Sequence, residues 1–184
     1  MLGMNQPHAL QRSFAGNTDI DRSFALALRE HDPHGWIGAF RTTIGNDERQ
    51  FNAPGVRVPM LSLSRVLPQS DPGYPYREYH SSWDTPEVAS VARLEEYRDL
   101  VLAMIETLEG DRVPVNAFRG EVCLARHGFE IDWYADRDSH RSWFDVMYLI
   151  DGTRSLADLA EACGIQFAEA KQIADRLVAD GVVT

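Results

Sequence analysis

The sequence predicts a mixed α/β chain that closes in a small helix-turn-helix. Three observations carry this reading. An amphipathic helical pattern near the N-terminus is followed by two short apolar runs bounded by loop residues. One long stretch repeats apolar residues at spacings of three and four. Near the C-terminus, two short helical patterns flank a tight turn containing glycine. With 184 residues, 44% of them hydrophobic, the chain can bury a core in one domain or in a domain plus a small appendage. The boundary is expected near residue 139, dividing residues 1–138 from 139–184.

Asp19 to His31 places Ile20, Phe24, Leu26, Ala27 and Leu28 between charged positions, the pattern of an amphipathic helix stopped by Asp32-Pro33 and Gly35. Trp36 to Phe40 reads as a short strand. Ile44 to Pro59 is rich in Gly, Asn and Pro and reads as loop, and Val58 to Leu63 as a second, buried strand. Pro68 to Pro75 holds three prolines and a glycine, so it is a loop that delivers Tyr76 to Thr85. Pro86 suits a first helical turn, capped by Thr85 or Asp84. Val88, Val91, Leu94, Tyr97, Val101, Met104, Ile105 and Leu108 then mark the expected buried face of a helix of roughly six turns ending near Gly110.

Asp111 to Asp138 reads as a connector with a short extended element at Val122-Cys123-Leu124. Phe144 to Ile150 is an apolar element stopped by Asp151-Gly152. Ser155 and Asp158 have capping-box spacing ahead of a short helix that Gly164 closes. Phe167 to Ala179 forms another helix, with Ala170, Ile173, Ala174 and Leu177 on one face, and Gly181-Val182-Val183 is placed to begin a wing.

Charge and cysteine usage narrow the function. Lys+Arg 18 against Asp+Glu 28 gives a net charge of -10, a field that repels a phosphate backbone. Cys123 and Cys163 lack metal-ribbon or disulfide-framework spacing and read as reduced thiols. No run of 18 apolar residues occurs, and the N-terminus lacks a basic region followed by an apolar core. The expectation is a cytoplasmic protein with neither nucleic-acid nor membrane partners. The helix Phe167 to Ala179 agrees: its only bases, Lys171 and Arg176, stand beside Glu169, Asp175 and Asp180.

Two loops carry residues suited to chemistry. His80 lies in Tyr79-His80-Ser81-Ser82-Trp83-Asp84-Thr85-Pro86-Glu87, directly before the long helix. A neutral imidazole is a good zinc ligand, and a nearby carboxylate, here Asp84, can orient the ring or its loop. A lone histidine before a helix is also commonly a structural residue. The second loop is Gly45-Asn46-Asp47-Glu48-Arg49-Gln50-Phe51-Asn52-Ala53-Pro54-Gly55, followed by Val58-Pro59-Met60 and Ser62-Leu63. Its charges suit either recognition of a substrate carboxylate or an internal ion pair of Asp47 with Arg49 or Arg65.

The first loop resembles the Tyr-His-Thr-x-x-Asp-Thr-x-Asp pattern that supplies the final zinc-binding histidine of co-catalytic zinc aminopeptidases. The second resembles the Gly-Ser-Asp-Glu-Arg-Gln-Tyr-x-Ser-Pro-Gly segment of the branch of that superfamily that carries a C-terminal winged helix. Asp21-Arg22 and the tail from Leu149 to Ala160 fit the same branch. The resemblance implies a partial zinc-aminopeptidase-like mixed sheet with flanking helices, followed by a small winged-helix domain. It implies a two-zinc site that hydrolyses a peptide-like or amide small-molecule substrate. Carried onto this sequence, His80 corresponds to a metal ligand, Asp84 to its support, and Asp47, Glu48 and Arg49 to the substrate side. The family's other ligands have no counterpart here, because the residues that match begin after them.

Two readings follow. The chain is the C-terminal portion of a zinc-dependent aminopeptidase-like hydrolase, inactive alone and completed by an N-terminal half or a homo-oligomer partner. Alternatively, it is a non-catalytic scaffold or protein-interaction module with a winged-helix tail.

Overall fold

The first helix begins where one carboxylate collects several donors. Thr18 precedes Asp21 by three positions, the spacing of a capping box. The computed structural model describes residues 1–128 and 137–184, with backbone alone for 137–140. In it, Asp21 is buried and accepts hydrogen bonds from the Thr18 amide (3.0 Å) and hydroxyl (2.6 Å) and from the Ser13 amide (2.7 Å) and hydroxyl (2.6 Å). Burial alone would raise its pKa, but these four bonds outweigh it and hold the carboxyl below its ordinary value. The helix that follows, α1 (Asp19–His31), keeps the expected bounds, and Asp32 closes it.

A strand the sequence did not announce, β1 (His8–Gln11), is the centre of a three-stranded sheet. Its four residues lack the alternating apolar pattern of a half-exposed strand, because all four are buried. β1 pairs in parallel with β2 (Trp36–Gly38), with Leu10 opposite Ile37, and antiparallel with β3 (Ser62–Arg65), with Gln11 opposite Ser62. β3 therefore starts four residues later than expected from Val58. Pro59 has no N–H to offer a ladder, and Val58 is left exposed.

The period of two along β1 sorts the fold into two faces. Leu10 packs with Ala25, Ala27 and Leu28 of α1 and with Leu100 and Met104 of α3 (Val91–Gly110). Ala9 packs with Ile44 and Val66, under Trp36 and Tyr79. His8 shares the helix side: its Nδ1 lies 2.7 Å from Asp32 Oδ2, and its ring lies 6.0 Å from that of Tyr97 on α3.

α3 departs from the expected helix in two ways. Pro86–Val88 is a separate 3-10 turn, and the extended Ala89 ends it before α3 starts at Val91. The buried face is Leu100, Met104 and Thr107. Of the expected face only Met104 is buried, whereas Val91 (73% exposed), Leu94 and Ile105, together with Leu102, form a stripe on the opposite side.

The chain divides into two compact units, Met1–Leu108 and Glu109–Thr184. The division falls well before residue 139 because a backbone pairing locks the connector into the second unit: the amides of Val115 and Thr184 each donate to the other's carbonyl (2.9 Å), and Ala117 N–H donates to Val182 (3.0 Å). The extended element is thus at 115–117. Leu124–His127 is a 3-10 turn, and residues 129–136 of the connector lie outside the described residues. α4 (Arg137–Leu149), α5 (Leu156–Cys163) and α6 (Phe167–Ala179) complete the unit. Ser155 caps α5 by the expected exchange with Asp158, and Gly164 ends it at φ 67°, a conformation that favours glycine. Phe167, Ala170, Ile173, Ala174 and Leu177 of α6 pack inward, as their periodicity predicts. Among the described residues, no helix is long and apolar enough to cross a membrane.

Two outcomes test these anchors. Asp21→Ala strands four donors near the first turn of α1 and should cost about 3 kcal/mol in a urea unfolding experiment. The pair His8–Asp32 contributes to the acid limb of stability. Burial lowers the His8 pKa, against the raising effect of the Asp32 hydrogen bond; in Asp32, burial raises the pKa but the hydrogen bond from His8 and two backbone donors bring it below its ordinary value. The unfolded chain therefore binds more protons than the folded one once pH falls below His8's ordinary 6.5. Stability should decline from there and continue to fall as Asp32 approaches its ordinary 3.8. His8→Gln should flatten the upper part of that decline, as read from the urea midpoint at successive pH values.

Candidate active-site loops

The loop after β2 is held by a buried amide. Gln11, on the same side of β1 as Ala9, is wholly buried. Its Nε2 donates to Glu48 Oε1 (3.0 Å), while its Oε1 accepts from the Thr43 hydroxyl (2.9 Å) and amide (3.3 Å). The other Glu48 oxygen accepts from the Asn46 amide (2.8 Å). Glu48 thus turns inward from the short helix α2 (Glu48–Phe51), with both oxygens engaged by the loop it stabilises. Its neighbours Asp47 and Arg49 are exposed. Asn52 finishes the arrangement by donating to the Glu48 and Met60 carbonyls (2.8 and 2.9 Å) and accepting from the Phe14 amide (2.9 Å). Arg65, one of the two arginines considered as an ion-pair partner for Asp47, instead reaches Glu96 of α3 (2.6 Å), and the Arg49 side chain donates to the Asn46 carbonyl (3.2 Å).

Thr43 also ties this loop to the one that bears His80. Its carbonyl accepts from Gln69 Nε2 (2.9 Å) and from the Tyr74 hydroxyl (2.7 Å). Beyond Tyr74 the chain folds into consecutive turns, with Ser81 N–H donating to Glu78 and Asp84 N–H to Ser81. Tyr76 is buried, and its hydroxyl donates to Asp84 Oδ2 (2.8 Å). Burial, reinforced by the Asp84 carboxylate, pushes the Tyr76 pKa up to about 12, so the phenol stays a donor throughout the physiological range. Tyr79 meets Tyr76 edge-on at 5.3 Å, and the His80 ring stacks on Tyr79 at 3.9 Å, nearly parallel.

His80 is exposed and has φ 56°. A side-chain-bearing residue pays about 1–2 kcal/mol for that left-handed backbone, and such positions cluster where a turn presents a side chain for use. Asp84 anchors the turn through Tyr76, while Tyr79 orients the imidazole. Gln11, Thr43 and Tyr76 are the residues anchoring the candidate loops that sequence reasoning missed. Only the spacing of Tyr76 and Tyr79 before Asp84 offered a signal for any of them.

Among the described residues, no group of three or more His, Cys, Asp or Glu side chains is arranged to hold a metal ion. A zinc centre takes at least three protein ligands, so His80 with the described residues of this chain does not fit one.

The fold and its loops define a mixed α/β protein with a three-stranded sheet, flanking helices and a winged-helix C-terminal domain. Residues 1–111 match a family model described as a domain of unknown function (DUF4910), and the chain belongs to that family. Residues 113–184 match a winged helix-turn-helix model. A curated relative from Clostridium acetobutylicum, the "Putative polysaccharide biosynthesis protein with aminopeptidase-like domain", is 28% identical over 171 residues, covering 91% of this chain and 38% of the relative. The crystal structure of a "putative peptidase" from the same organism superimposes with a TM-score of 0.83 at 26% identity, covering all of this chain and 40% of that one. The chain thus spans about two fifths of the length of these relatives.

Gln11→Leu removes the shared anchor of both loops. It should lower stability by about 3 kcal/mol and speed amide hydrogen exchange in residues 43–52 and 74–84 together, with α1 exchange changed less. Tyr76→Phe should loosen only the second of these segments.

Proposed function

We propose that this chain is the C-terminal portion of a zinc-dependent aminopeptidase-like hydrolase that cleaves an amide bond beside a free amine. In this reading His80 supplies one zinc ligand. The remaining ligands come from an N-terminal half or from a homo-oligomer partner. Asp47 and Arg49 stand on the substrate side, Glu48 holds their loop from below, and Asp84 supports the His80 turn through Tyr76. The observation that carries the reading is His80 itself, an exposed imidazole fixed by stacking at a left-handed turn, in a chain that aligns along its whole length with the crystal structure of the "putative peptidase".

The second reading, a non-catalytic interaction module, draws on the outer stripe of α3 and on the charge pairing of the second unit. Lys171 and Arg112 both reach Asp175, and Arg176 reaches Asp180, so the α6 bases Lys171 and Arg176 are neutralised locally rather than offered to a phosphate backbone. The stripe suits either reading, since a completing segment and a separate partner would both cover it.

One measurement separates the readings, and a second tests the stripe that both of them use. The chain alone and the chain extended by the polypeptide encoded upstream are assayed for zinc content and for release of amine from aminoacyl amides. The extended form should hold about two zinc ions and turn over, His80→Ala should abolish both, and the chain alone should do neither. Tight zinc binding by the chain alone, insensitive to His80→Ala, would sink the hydrolase reading. In size-exclusion chromatography the chain should elute above its monomer mass of 20.8 kDa, and Leu94→Glu with Ile105→Glu should return it to the monomer position without unfolding it.

A further inference from the structure

Of the four buried side-chain atoms without a hydrogen-bond partner among the described residues, three belong to residues around one cavity: Gln6 Oε1, His8 Nε2 and Arg65 Nε. Buried polar atoms are nearly always paired, so three such atoms together call for a reason. The cavity, of about 550 Å³, lies at the start of β1 between the end of α1 and the first half of α3. The loops bearing Asp47 and His80 are tied instead to Gln11, at the other end of β1 and on its other face. Burial keeps the His8 ring neutral, against the raising effect of its Asp32 hydrogen bond. In Asp32 burial is outweighed by the hydrogen bonds it accepts, so it is a carboxylate and the ring proton sits on Nδ1, 2.7 Å away. His8 Nε2 is then a bare acceptor. Gln6 Oε1 is a second acceptor, and Arg65 Nε is a donor on a side chain only 4% exposed. The other Arg65 nitrogens are committed to the Gln6 carbonyl (2.9 Å) and to Glu96 (2.6 Å). A matching ligand supplies two donors and one acceptor.

That requirement sorts the candidates. An anion offers acceptors alone, which His8 Nε2 and Gln6 Oε1 would repel, and the two arginines of the wall, Arg65 and Arg93, already pair with Glu96. A cation offers donors alone, next to Arg65. A carboxamide matches the three atoms but leaves its carbon side against a wall that stays polar, through Asp99, His31 and His34. Neighbouring hydroxyls, each both donor and acceptor, match the three atoms and that wall together. We propose that this cavity binds a neutral polyhydroxyl ligand of monosaccharide size, its vicinal hydroxyls donating to His8 Nε2 and Gln6 Oε1 and accepting from Arg65 Nε. Rotation of the half-buried Gln6 side chain opens these atoms to the ligand. No Phe, Tyr or Trp lines the cavity among the described residues, so hydrogen bonds rather than ring stacking carry the binding, and the affinity is in the millimolar range. The site lies away from the candidate loops and stands or falls separately from the hydrolase reading.

The test is a titration of the ¹⁵N-labelled full chain in a phosphate-free buffer above neutral pH, where His8 is uncharged. The ring nitrogens of His8 are followed by long-range ¹H–¹⁵N correlation and assigned by their loss in His8→Gln. The probes are methyl α-D-glucopyranoside, methyl α-D-mannopyranoside and myo-inositol, with inorganic phosphate and propionamide as the competing chemistries. At least one of the three polyols should move the His8 Nε2 resonance saturably, and phosphate and propionamide should not. Asp99→Ala, a change at an exposed wall residue that leaves the α1 amide resonances in place, should weaken that polyol about threefold or more. A saturable shift with phosphate or propionamide and none with the polyols overturns the proposal. So does the absence of a saturable shift with any probe, which would mean that ordered water alone satisfies the buried atoms. Polyol binding that leaves His8 Nε2 unmoved, or that Asp99→Ala does not weaken, places the ligand elsewhere and overturns it equally.

Discussion

The carboxamide of Gln11 joins the two loops of the first unit that carry the candidate site residues. It sits on the middle strand, buried on all sides, where an unpaired amide would be costly. Its nitrogen and oxygen are spent on different segments: the nitrogen on Glu48, the oxygen on Thr43. Through Thr43 the same anchor extends to Tyr74 and so to the turn that presents His80. Two surface loops that look independent along the chain therefore share one buried fastening, and the sheet, though only three strands wide, fixes both.

The division of labour along β1 explains why so short a strand suffices. Its even-numbered residues, His8 and Leu10, face the helices and carry the apolar core and the Asp32 clamp. Its odd-numbered residues, Ala9 and Gln11, face the loops. Each face thus carries one apolar contact and one polar fastening, Leu10 with His8 on the helix side and Ala9 with Gln11 on the loop side. α3 carries apolar residues on two opposite sides, with Leu100 and Met104 inward and Val91, Leu94, Leu102 and Ile105 outward. A helix apolar on opposite faces belongs between two layers, and the first unit provides one of them.

Sequence reasoning was most successful where local chemistry decides structure. α1 and α6 keep their expected bounds, and the Ser155–Asp158 cap and the Gly164 stop are where their spacing placed them. It failed where the answer depended on distant partners. β1 was invisible because a strand buried on both faces has no alternation to read, and its polar ends look like loop. The face of α3 was misassigned because a helix with apolar residues all round offers periodicity for more than one choice. In the Asp47-Glu48-Arg49 run, composition marks a charged loop but cannot say that the middle residue points inward, because its partner Gln11 lies 37 positions away. His80 and Asp84 stand out along the chain as a motif, whereas Tyr76, which joins Asp84 to the fold, does not.

The second unit has an architectural consequence of its own. Because residues 115–117 pair with 182–184, the segment entering the unit and the segment ending it lie side by side, and the helices form a closed excursion between them. The last three residues are therefore a structural seam. Chain added after Thr184 would emerge next to the extended segment 115–117, and loss of the last three residues would leave that segment unpaired while removing nothing from α4, α5 or α6.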